Sequence, residues 1–415
     1  MSNQRIRSGP TPRSIARHGR LKSPNPVLGV LKFLGVGVVV VAVSAASIVA
    51  IDTYRLVASA DIIDIPFQSD GPPPDIAAME GGFNILIVGS DKGETPEEIK
   101  ERGKAELNDV TMILHVSQDG TNAVAVSIPR DMVVPIPPCP KEDGSGNYAR
   151  MSGQPINVTL SYGGLPCTIL TIQELTGLTI DFAGLITFNG VIQMSDAVGG
   201  VPVCLAEGIT DAYSGFDRPA GTYTLEGWEA LAFLRSRHAV GNGSDLTRIT
   251  SQQVFLSSLV RTLKSEDTLN DPIKVYNLAN AAISNMSLTS NFAHPDVLVS
   301  VARALATLDL DRVTFVQYPG VTGGTGIYEK KVKPVTAVAT ALFAQIKADQ
   351  PFALEKAGDG DGSIVDPNAT PLAPDPNETV DPSAPPEAAL PVIAGLTGQT
   401  AADQTCSVGR PLRDQ

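Results

Sequence analysis

The chain has 415 residues, of which 43% are hydrophobic, and this is enough for one large domain, or two smaller ones, with tails. The first 32 residues hold seven basic and no acidic side chains, so the rest of the chain carries 24 basic against 44 acidic ones. A main domain with this acidic balance is not expected to bind nucleic acid.

An uncharged apolar segment, FLGVGVVVVAVSAASIVAI, occupies residues 33–51. Its nineteen residues are about the length that a helix needs to cross ~30 Å of hydrocarbon. A cleaved signal peptide is the alternative, but the apolar part of such peptides is typically ~7 to 15 residues long. The basic residues before this segment and the aspartates after it predict a signal-anchor transmembrane helix, with a cytoplasmic N-terminus and an extracellular main domain at the cell membrane.

Composition divides the remaining chain into four parts. Residues 1–32 form a basic cytoplasmic segment, and residues 52–81 form a juxtamembrane linker that ends in proline and glycine. Residues 82–355 form the predicted folded domain. Residues 356–415 are acidic, rich in proline and alanine and poor in aromatic residues, which predicts a disordered tail.

Strand-like and helix-like segments alternate within residues 82–355. Three buried strands are predicted at FNILIVGS, VTMILHVS and AVAVSIPRD, and a further strand at DRVTFVQYP. Helices are predicted from Ile156 to Leu175, around Val191, at LEGWEALAF and over residues 296–307. This alternation predicts a layered α/β domain.

The four cysteines include no CxxC pair and the chain has only four histidines, so zinc or thiol-redox chemistry has little support. An extracellular position favours disulfides instead. The preferred pair is Cys139 with Cys167, because both lie in loops rich in proline or glycine and are close in sequence. Three connectivities among four cysteines remain open.

The segment from residue 225 to 261 concentrates polar groups that suit a phosphate ester. Arg235 and Arg237 are two apart, so their side chains share a direction only if the chain is extended after the helix at LEGWEALAF. Asp245, Arg248 and Gln252 form one stripe of a second helix, for which Asp245 is the predicted N-cap. Helix N-termini and guanidinium groups both favour anions, so we predict an anion pocket; ordinary surface salt bridges are the alternative.

Strand ends supply further polar groups. Asp91 follows the first predicted strand and Asp109 directly precedes the second. If these strands are antiparallel neighbours, the two carboxylates meet and can hold one Mg²⁺, although aspartate is also a favoured turn residue. Arg130, at the end of the third strand, joins the same edge and either contacts the phosphate or pairs with Asp131.

Six ordered motifs resemble the LytR-CpsA-Psr family of cell-wall assembly proteins. They are NILIVGSDKG, NDVTMILHVS, VAVSIPRDMVVPIP, INVTLSYGG, FNGVIQMSDAVGGVPV and LEGWEALAFLRSRH, the last followed by GSDLTRITSQQ. Their order and spacing cover most of residues 84–264, and one N-terminal span with a large exterior domain is the family's usual topology. The resemblance implies an α-β-α arrangement with a mixed central sheet and a hydrophobic cavity for a polyprenyl chain.

The resemblance also implies a phosphotransferase that moves a glycopolymer from an undecaprenyl-pyrophosphate carrier to peptidoglycan through a phosphodiester. The family's magnesium-binding aspartates match Asp91 and Asp109, its pyrophosphate-binding arginines match Arg130, Arg235 and Arg237, and further polar residues of its site match Asp245, Arg248 and Gln252. By position, Asp245 is a candidate general base, although pairing with Arg248 would lower its basicity.

The chain departs from the family pattern at two positions, where Leu107 and Pro155 replace residues that are often basic. Lys92, Arg102 and Lys104 are candidates to supply the missing charge. Two alternative functions stay open: a pyrophosphatase that acts on the same lipids with water as acceptor, and a non-catalytic lipid-binding scaffold for wall assembly.

Overall fold

A computed structural model describes residues 27, 31–32, 34–40, 43–44, 60–66, 76, 79–92, 106–141, 143–265, 272–369 and 390–414. The chain divides into two compact units, Met1–Tyr54 and Arg55–Gln415. The described residues of the first unit are helical. In the part of the chain that the structure describes, no helix is long and apolar enough to cross a membrane. About half of the predicted span lies outside those residues, as does nearly all of segment 1–32.

The second unit contains the strands and helices of the predicted α/β domain. Its described strands are β1 (Asp61–Ile63), β2 (Phe83–Ser90), β3 (Asn108–Val116), β4 (Ala123–Ile128), β5 (Val133–Ile136), β6 (Met151–Pro155), β7 (Phe182–Ile186), β8 (Val201–Leu205), β9 (Ile209–Asp211), β10 (Phe216–Arg218), β11 (Gly221–Leu225), β12 (Met286–Thr289), β13 (Val313–Gln317), β14 (Gly320–Val321), β15 (Lys333–Pro334), β16 (Ser363–Val365), β17 (Gly398–Thr400) and β18 (Thr405–Ser407). Its described helices are α1 (Thr159–Thr176), α2 (Phe188–Val198), α3 (Gly227–Arg235), α4 (Asp245–Ser265), α5 (Pro272–Asn285), α6 (Pro295–Thr307) and α7 (Thr336–Lys347).

The central sheet has eight strands in the order β1-β12-β7-β2-β3-β4-β13-β17. It is mixed: β2 is parallel to β7 but antiparallel to β3, and β4 is antiparallel to β3 but parallel to β13. The antiparallel pairing of β2 with β3 joins Ser90 to Asn108. It thereby brings the chain just after β2 next to the start of β3, as the proposed aspartate pair requires.

Helices cover both faces of this sheet because successive strand residues point to opposite sides. On one face, Leu86 and Ile113 pack with Ile169 of α1 and Phe343 of α7. On the other face, buried strand residues such as Phe83, Ile85 and Phe315 pack with residues of α4, α5 and α6. This α-β-α arrangement confirms the fold class expected from the sequence.

A second sheet, in the order β11-β8-β18-β16, lies beside α3 and α4. Val203 of β8, Phe233 of α3 and Phe255 of α4 belong to one buried cluster. This cluster fixes the end of α3 and the body of α4, the two elements on which the sequence predicts the anion pocket.

The predicted elements of the domain are confirmed, with shifts of a few residues at their ends. The four predicted strands correspond to β2, β3, β4 and β13, and the four predicted helical segments correspond to α1, α2, α3 and α6. The predicted Cys139–Cys167 disulfide is present. Gly163 lies against it, and a Cβ on Gly163 would meet the carbonyl oxygen of Pro140 at 2.5 Å and each cysteine Cβ at 3.3 Å. Only glycine fits this close approach.

Two predicted boundaries are wrong for the described residues. The linker assigned to residues 52–81 contributes β1, which pairs with β12, and buries Ile65 and Ile76. The tail assigned to residues 356–415 contributes β16, β17 and β18, and Cys406 forms a disulfide with Cys204. Both segments lack a core of their own, but they fold because they add short strands to edges of sheets that other residues build. Residues 370–389 lie outside the described part.

Candidate functional site

A polar cleft brings together residues from β3, the end of β4, β9 and the turn after it, the end of α3 and α4. It is lined by Asp109, Arg130, Asp211, Tyr213, Ser214, Arg235, Arg237, His238 and Arg248. Four of the lining residues are arginines and two are aspartates. Five of the eight residues singled out by the sequence are therefore at one cleft: Asp109, Arg130, Arg235, Arg237 and Arg248.

Arg235 and Arg237 reach the cleft because α3 ends at Arg235 and the next residue is extended. Ser236 has φ −61° and ψ 124°, which leaves the two arginine side chains two residues apart on extended backbone, as predicted. The Arg235 guanidinium carbon lies 4.5 Å from the ring centroid of Phe188. This cation–π contact supports the side chain from α2.

Asp211 holds the backbone on both sides of the cleft. Its carboxylate accepts from the N–H groups of Tyr213 and Ser214 at 2.9 and 3.3 Å, and from those of Arg237 and His238 at 3.0 and 3.2 Å. Asp211 is only 2% exposed. One buried carboxylate therefore fixes the turn after β9 to the arginine segment after α3.

The N-terminus of α4 differs from the prediction in its capping residue. The helix begins at Asp245, but the N-cap is Ser244, whose Oγ accepts from the N–H of Thr247 at 3.3 Å. Asp245 does not cap the helix because its carboxylate is engaged across the site. Its Oδ2 accepts from the backbone N–H of Arg130 at 3.0 Å, and its Oδ1 lies 2.7 Å from Nη2 of Arg248.

Arg130 lies between two carboxylates. Its Nη1 donates to Asp109, and its Nε lies 3.6 Å from Oδ1 of Asp245. Burial lowers the pKa of Arg130, but the charges of Asp109 and Asp245 outweigh burial and leave its pKa raised. Arg248 also donates to the main-chain carbonyl of Asp109 at 2.9 Å. Asp131 accepts from Lys331 Nζ at 2.8 Å, and its other carboxylate oxygen lies 4.0 Å from Nη2 of Arg237.

Three arginines of the cleft each keep one buried N–H without an acceptor. The Nε atoms of Arg130, Arg237 and Arg248 have no hydrogen-bond partner within the described residues. Buried donors without acceptors are costly, by about 1 to 3 kcal/mol each. Arg130 Nε lies close to a carboxylate, at 3.6 Å from Oδ1 of Asp245. The four arginines that line the cleft give it planar donor forks of the kind that match phosphate oxygens.

Two further predicted site residues, Gln252 and Asp91, are not among the residues that line the cleft, and neither is Pro155, one of the departures from the family pattern. Gln252 donates from its side-chain amide to the carbonyl of Leu234 at 2.9 Å, so it supports the end of α3 rather than lining the cleft. Asp91 accepts from the N–H of Leu107 at 2.8 Å. Pro155 pairs with Val133 in the β5/β6 ladder.

The candidates to replace the missing basic residues do not line the cleft where they are described. Lys92 is 62% exposed at its side chain and lies 3.4 Å from Glu106. Arg102 and Lys104 fall outside the described residues. Any charge that compensates for Leu107 and Pro155 in the described cleft therefore comes from its four arginines.

Four lining residues were not predicted: Asp211, Tyr213, Ser214 and His238. Ser214 Oγ lies 2.8 Å from Ser236 Oγ, and the Tyr213 and His238 rings lie 4.6 Å apart between centroids. The sequence signal for this part of the cleft is the segment ITDAYSG, in which an aspartate at a strand end precedes a glycine turn.

The carboxylates of Asp91 and Asp109 have the chemistry that a magnesium site requires. Both offer oxygen ligands, and they lie at adjoining ends of β2 and β3. Asp109 Oδ1 pairs with Arg130, while its Oδ2 has no hydrogen-bond partner within the described ranges. The donor types fit Mg²⁺. Elsewhere in the described chain Cys204, Asp366 and Cys406 converge, but both cysteines belong to a disulfide.

Comparison with known proteins places these residues in a family context. A model of the LytR_cpsA_psr family matches residues 53–347. The chain is 32% identical over 300 residues to the cell wall biosynthesis protein LcpA of Corynebacterium glutamicum, covering 65% of this chain and 56% of LcpA. It is 26% identical over 211 residues to the polyisoprenyl-teichoic acid–peptidoglycan teichoic acid transferase TagU of Oceanobacillus iheyensis, covering 49% of this chain and 61% of TagU.

The fold is also similar to that of a solved structure. B. subtilis TagV superimposes with a TM-score of 0.51 at 20% identity, covering 64% of this chain and 96% of that one. This likeness supports the arrangement of the domain alone. The matches span 56% and 61% of the lengths of LcpA and TagU, little more than half of either relative.

Proposed function

Because the chain belongs to the LytR-CpsA-Psr family, we propose that it is a phosphotransferase of cell-wall assembly. It would move a glycopolymer from an undecaprenyl-pyrophosphate carrier to peptidoglycan and leave a phosphodiester link. The observation that carries this proposal is the convergence of four arginines, Arg130, Arg235, Arg237 and Arg248, on one cleft. A pyrophosphate supplies several acceptor oxygens at once.

The arginines have separate tasks in this proposal. Arg235, the last residue of α3, and Arg237, which follows the extended Ser236, bind phosphoryl oxygens directly, and Arg130 and Arg248 complete the positive wall of the cleft. Their fixed donors stabilise the negative charge that develops on the phosphoryl oxygens and on the leaving phosphate. Asp245 keeps Arg130 and Arg248 in place and is 3% exposed, so its role is positioning rather than proton transfer.

We assign Asp91 and Asp109 to the magnesium ion, on the chemistry and adjoining positions of their carboxylates. When bound, Mg²⁺ would supply Lewis-acid neutralisation of phosphoryl charge. The pairing of Asp109 with Arg130 would link the ion to the arginine cleft.

Membrane attachment is part of the same proposal, because a lipid-linked donor stays at the membrane surface. The uncharged segment 33–51 supports it, and side chains of the described helical residues there, such as Val36, Val38 and Val40, are more than half exposed. The basic residues before the segment favour a cytoplasmic N-terminus and an extracellular catalytic domain.

The test is a transfer assay with the full-length protein in detergent. A synthetic polyprenyl-pyrophosphate oligosaccharide and peptidoglycan fragments are incubated with it in Mg²⁺ or in EDTA, and the products are identified by mass spectrometry. We expect a phosphodiester-linked conjugate in Mg²⁺. Release of sugar phosphate without conjugate would instead identify a pyrophosphatase, and retained lipid without turnover would identify a scaffold.

A further inference from the structure

We propose that His238 is the catalytic base of the transfer, and that it takes the proton from the acceptor hydroxyl. This inference rests on the proposed function, which supplies the donor and the acceptor. It replaces the sequence-based candidate Asp245, which is buried beneath the cleft and engaged with two arginines.

The carboxylates at the cleft are committed to other partners. Asp211 uses both oxygens to accept four backbone N–H groups. The Asp109 carboxylate is paired with the guanidinium of Arg130. These contacts leave the imidazole of His238 as the lining group whose nitrogens are available to accept a proton.

The position of His238 suits a group that must meet an incoming acceptor. Its side chain is exposed at the cleft, and its ring nitrogens have no hydrogen-bond partner in the described part of the chain. The backbone is nevertheless fixed, because its N–H donates to Asp211 at 3.2 Å. The imidazole ring also packs at 4.6 Å against Tyr213, whose own position Asp211 sets. The imidazole is therefore held in place and still open to solvent.

The surroundings of His238 are mainly cationic. The charged or titratable groups that line the cleft with it are Asp109 of β3, Arg130 after β4, Asp211 and Tyr213 of the β9 turn, Arg235 and Arg237 at the end of α3, and Arg248 of α4. Arg410 lies close in the chain path, since its main-chain N–H donates to the carbonyl of Ala239.

The proposed step balances as follows. The acceptor hydroxyl oxygen attacks the phosphorus next to the glycan and forms the new P–O bond. The bond from that phosphorus to the bridging oxygen breaks, and polyprenyl phosphate leaves with the electron pair. The hydroxyl proton passes to a ring nitrogen of His238 and then to solvent, which restores the neutral imidazole.

The experiment compares His238→Gln with His294→Gln, an exposed histidine that precedes α6 and lies outside the cleft. Transfer rates are measured from pH 5.5 to 8.5 on the full-length protein, with binding of farnesyl pyrophosphate measured alongside. We expect the kcat of His238→Gln to be lower than that of the wild type by about 100-fold or more, and its rate no longer to decrease at acid pH. Its affinity for farnesyl pyrophosphate should be unchanged. His294→Gln should match the wild type.

A second variant guards against indirect effects. His238→Ala opens space beside Tyr213, so added imidazole should restore part of the activity of this variant. Added imidazole should not restore the activity of Arg237→Ala. A His238→Gln variant with the wild-type kcat and the same decrease in rate at acid pH as the wild type would overturn the assignment. Absence of conjugate with the wild-type protein would instead overturn the proposed function itself, and the base assignment with it.

Discussion

Asp245 accepts a hydrogen bond from the backbone N–H of Arg130 at 3.0 Å, and this contact joins the start of α4 to the end of β4. The same carboxylate lies 2.7 Å from Nη2 of Arg248, and its side chain is 2% exposed. One buried acid therefore orients two cleft arginines, one of which, Arg130, lies 115 residues before it in the chain.

Replacing Asp245 with asparagine should lower both stability and activity. The substitution leaves the buried guanidinium of Arg248 without its compensating charge, which typically costs about 3 to 5 kcal/mol. The free energy of unfolding, measured in urea, should fall by a similar amount. Asp311→Asn, at an exposed position, is the control and should shift it by under about 0.5 kcal/mol. Equal shifts in the two variants would contradict the structural role of Asp245.

Arg237→Ala should reduce transfer strongly without unfolding the domain. Loss of one charge-assisted contact of about 1.5 to 3 kcal/mol corresponds to roughly 10- to 150-fold in kcat/KM. Arg237→Lys should recover only part of this loss, because lysine lacks the planar fork. The matched control is Arg218→Ala, which removes an exposed arginine paired with Glu229 outside the cleft. Unchanged kcat/KM in Arg237→Ala would remove this residue from the site.

Asp91→Asn and Asp109→Asn should weaken metal binding. In the proposed metal site each variant would remove one anionic oxygen ligand, so we expect the Mg²⁺ concentration for half-maximal transfer to rise about 10-fold or more. Binding of Mn²⁺ as a spectroscopic substitute should weaken in parallel, which separates metal loss from a general loss of activity. Asp143→Asn, on an exposed loop, serves as the control. A magnesium response equal to that of the wild type in both variants would place the ion elsewhere.

Opening the Cys204–Cys406 disulfide should destabilise the domain more than opening Cys139–Cys167. The first closes a loop of 202 residues and the second a loop of 28. Loop entropy alone then predicts a difference of about 2 kcal/mol, on top of roughly 2 to 5 kcal/mol for removal of either bridge. Serine pairs at each bridge, compared by urea unfolding, test this order.

The C-terminal segment also contacts the loop that carries Arg237, between α3 and α4, and α4 itself. Gly241 N–H donates to the carbonyl of Val408 at 3.0 Å, and Thr250 of α4 donates to Asp359 at 2.8 Å. Truncation after residue 355 should therefore abolish transfer and expose the core to protease. Full activity of the truncated chain would show that β16, β17 and β18 are dispensable.

Stability should fall as the pH drops below about 6.5, in part through His115. Burial lowers the pKa of His115 below its ordinary value of 6.5, and the opposing influence of Asp349 is smaller. Between the two pKa values the unfolded chain binds a proton that the native chain does not, so protonation favours unfolding. One such group changes the free energy of unfolding by at most about 1.4 kcal/mol per pH unit.

The test is the melting temperature of wild type, His115→Gln and the exposed-site control His294→Gln between pH 5.5 and 7.5. The His115→Gln curve should be flatter than the other two. A His115→Gln curve parallel to the wild type would show that His115 does not contribute to the acid sensitivity.

Much of the fold could be predicted because its strands are strongly apolar and its helices have clear ends. The pairing of Ser90 with Asn108 follows from one conditional prediction, that β2 and β3 are antiparallel neighbours. Arg235 and Arg237 were found because residues two apart share a side on extended backbone. Each of these inferences uses only residues close in sequence.

The parts that were missed depend on distant contacts. Asp211 contributes to the cleft by accepting from Arg237, 26 residues away, and ITDAYSG alone gives only a turn. Cys406 is held in the domain by its disulfide with Cys204, which lies 202 residues earlier in the chain. Composition described the tail correctly as poor in aromatic residues, but a segment that pairs with existing sheet edges needs little core of its own.

The central claim is that the arginine cleft binds a pyrophosphate, and equilibrium binding of farnesyl pyrophosphate to the full-length protein tests it most directly. We expect saturable binding of farnesyl pyrophosphate that is displaced by inorganic pyrophosphate. We also expect Kd to rise about 10-fold or more in Arg235→Ala and Arg237→Ala and to stay unchanged in Arg218→Ala. Equal affinity in all four proteins, or no binding to the wild type, would contradict this claim.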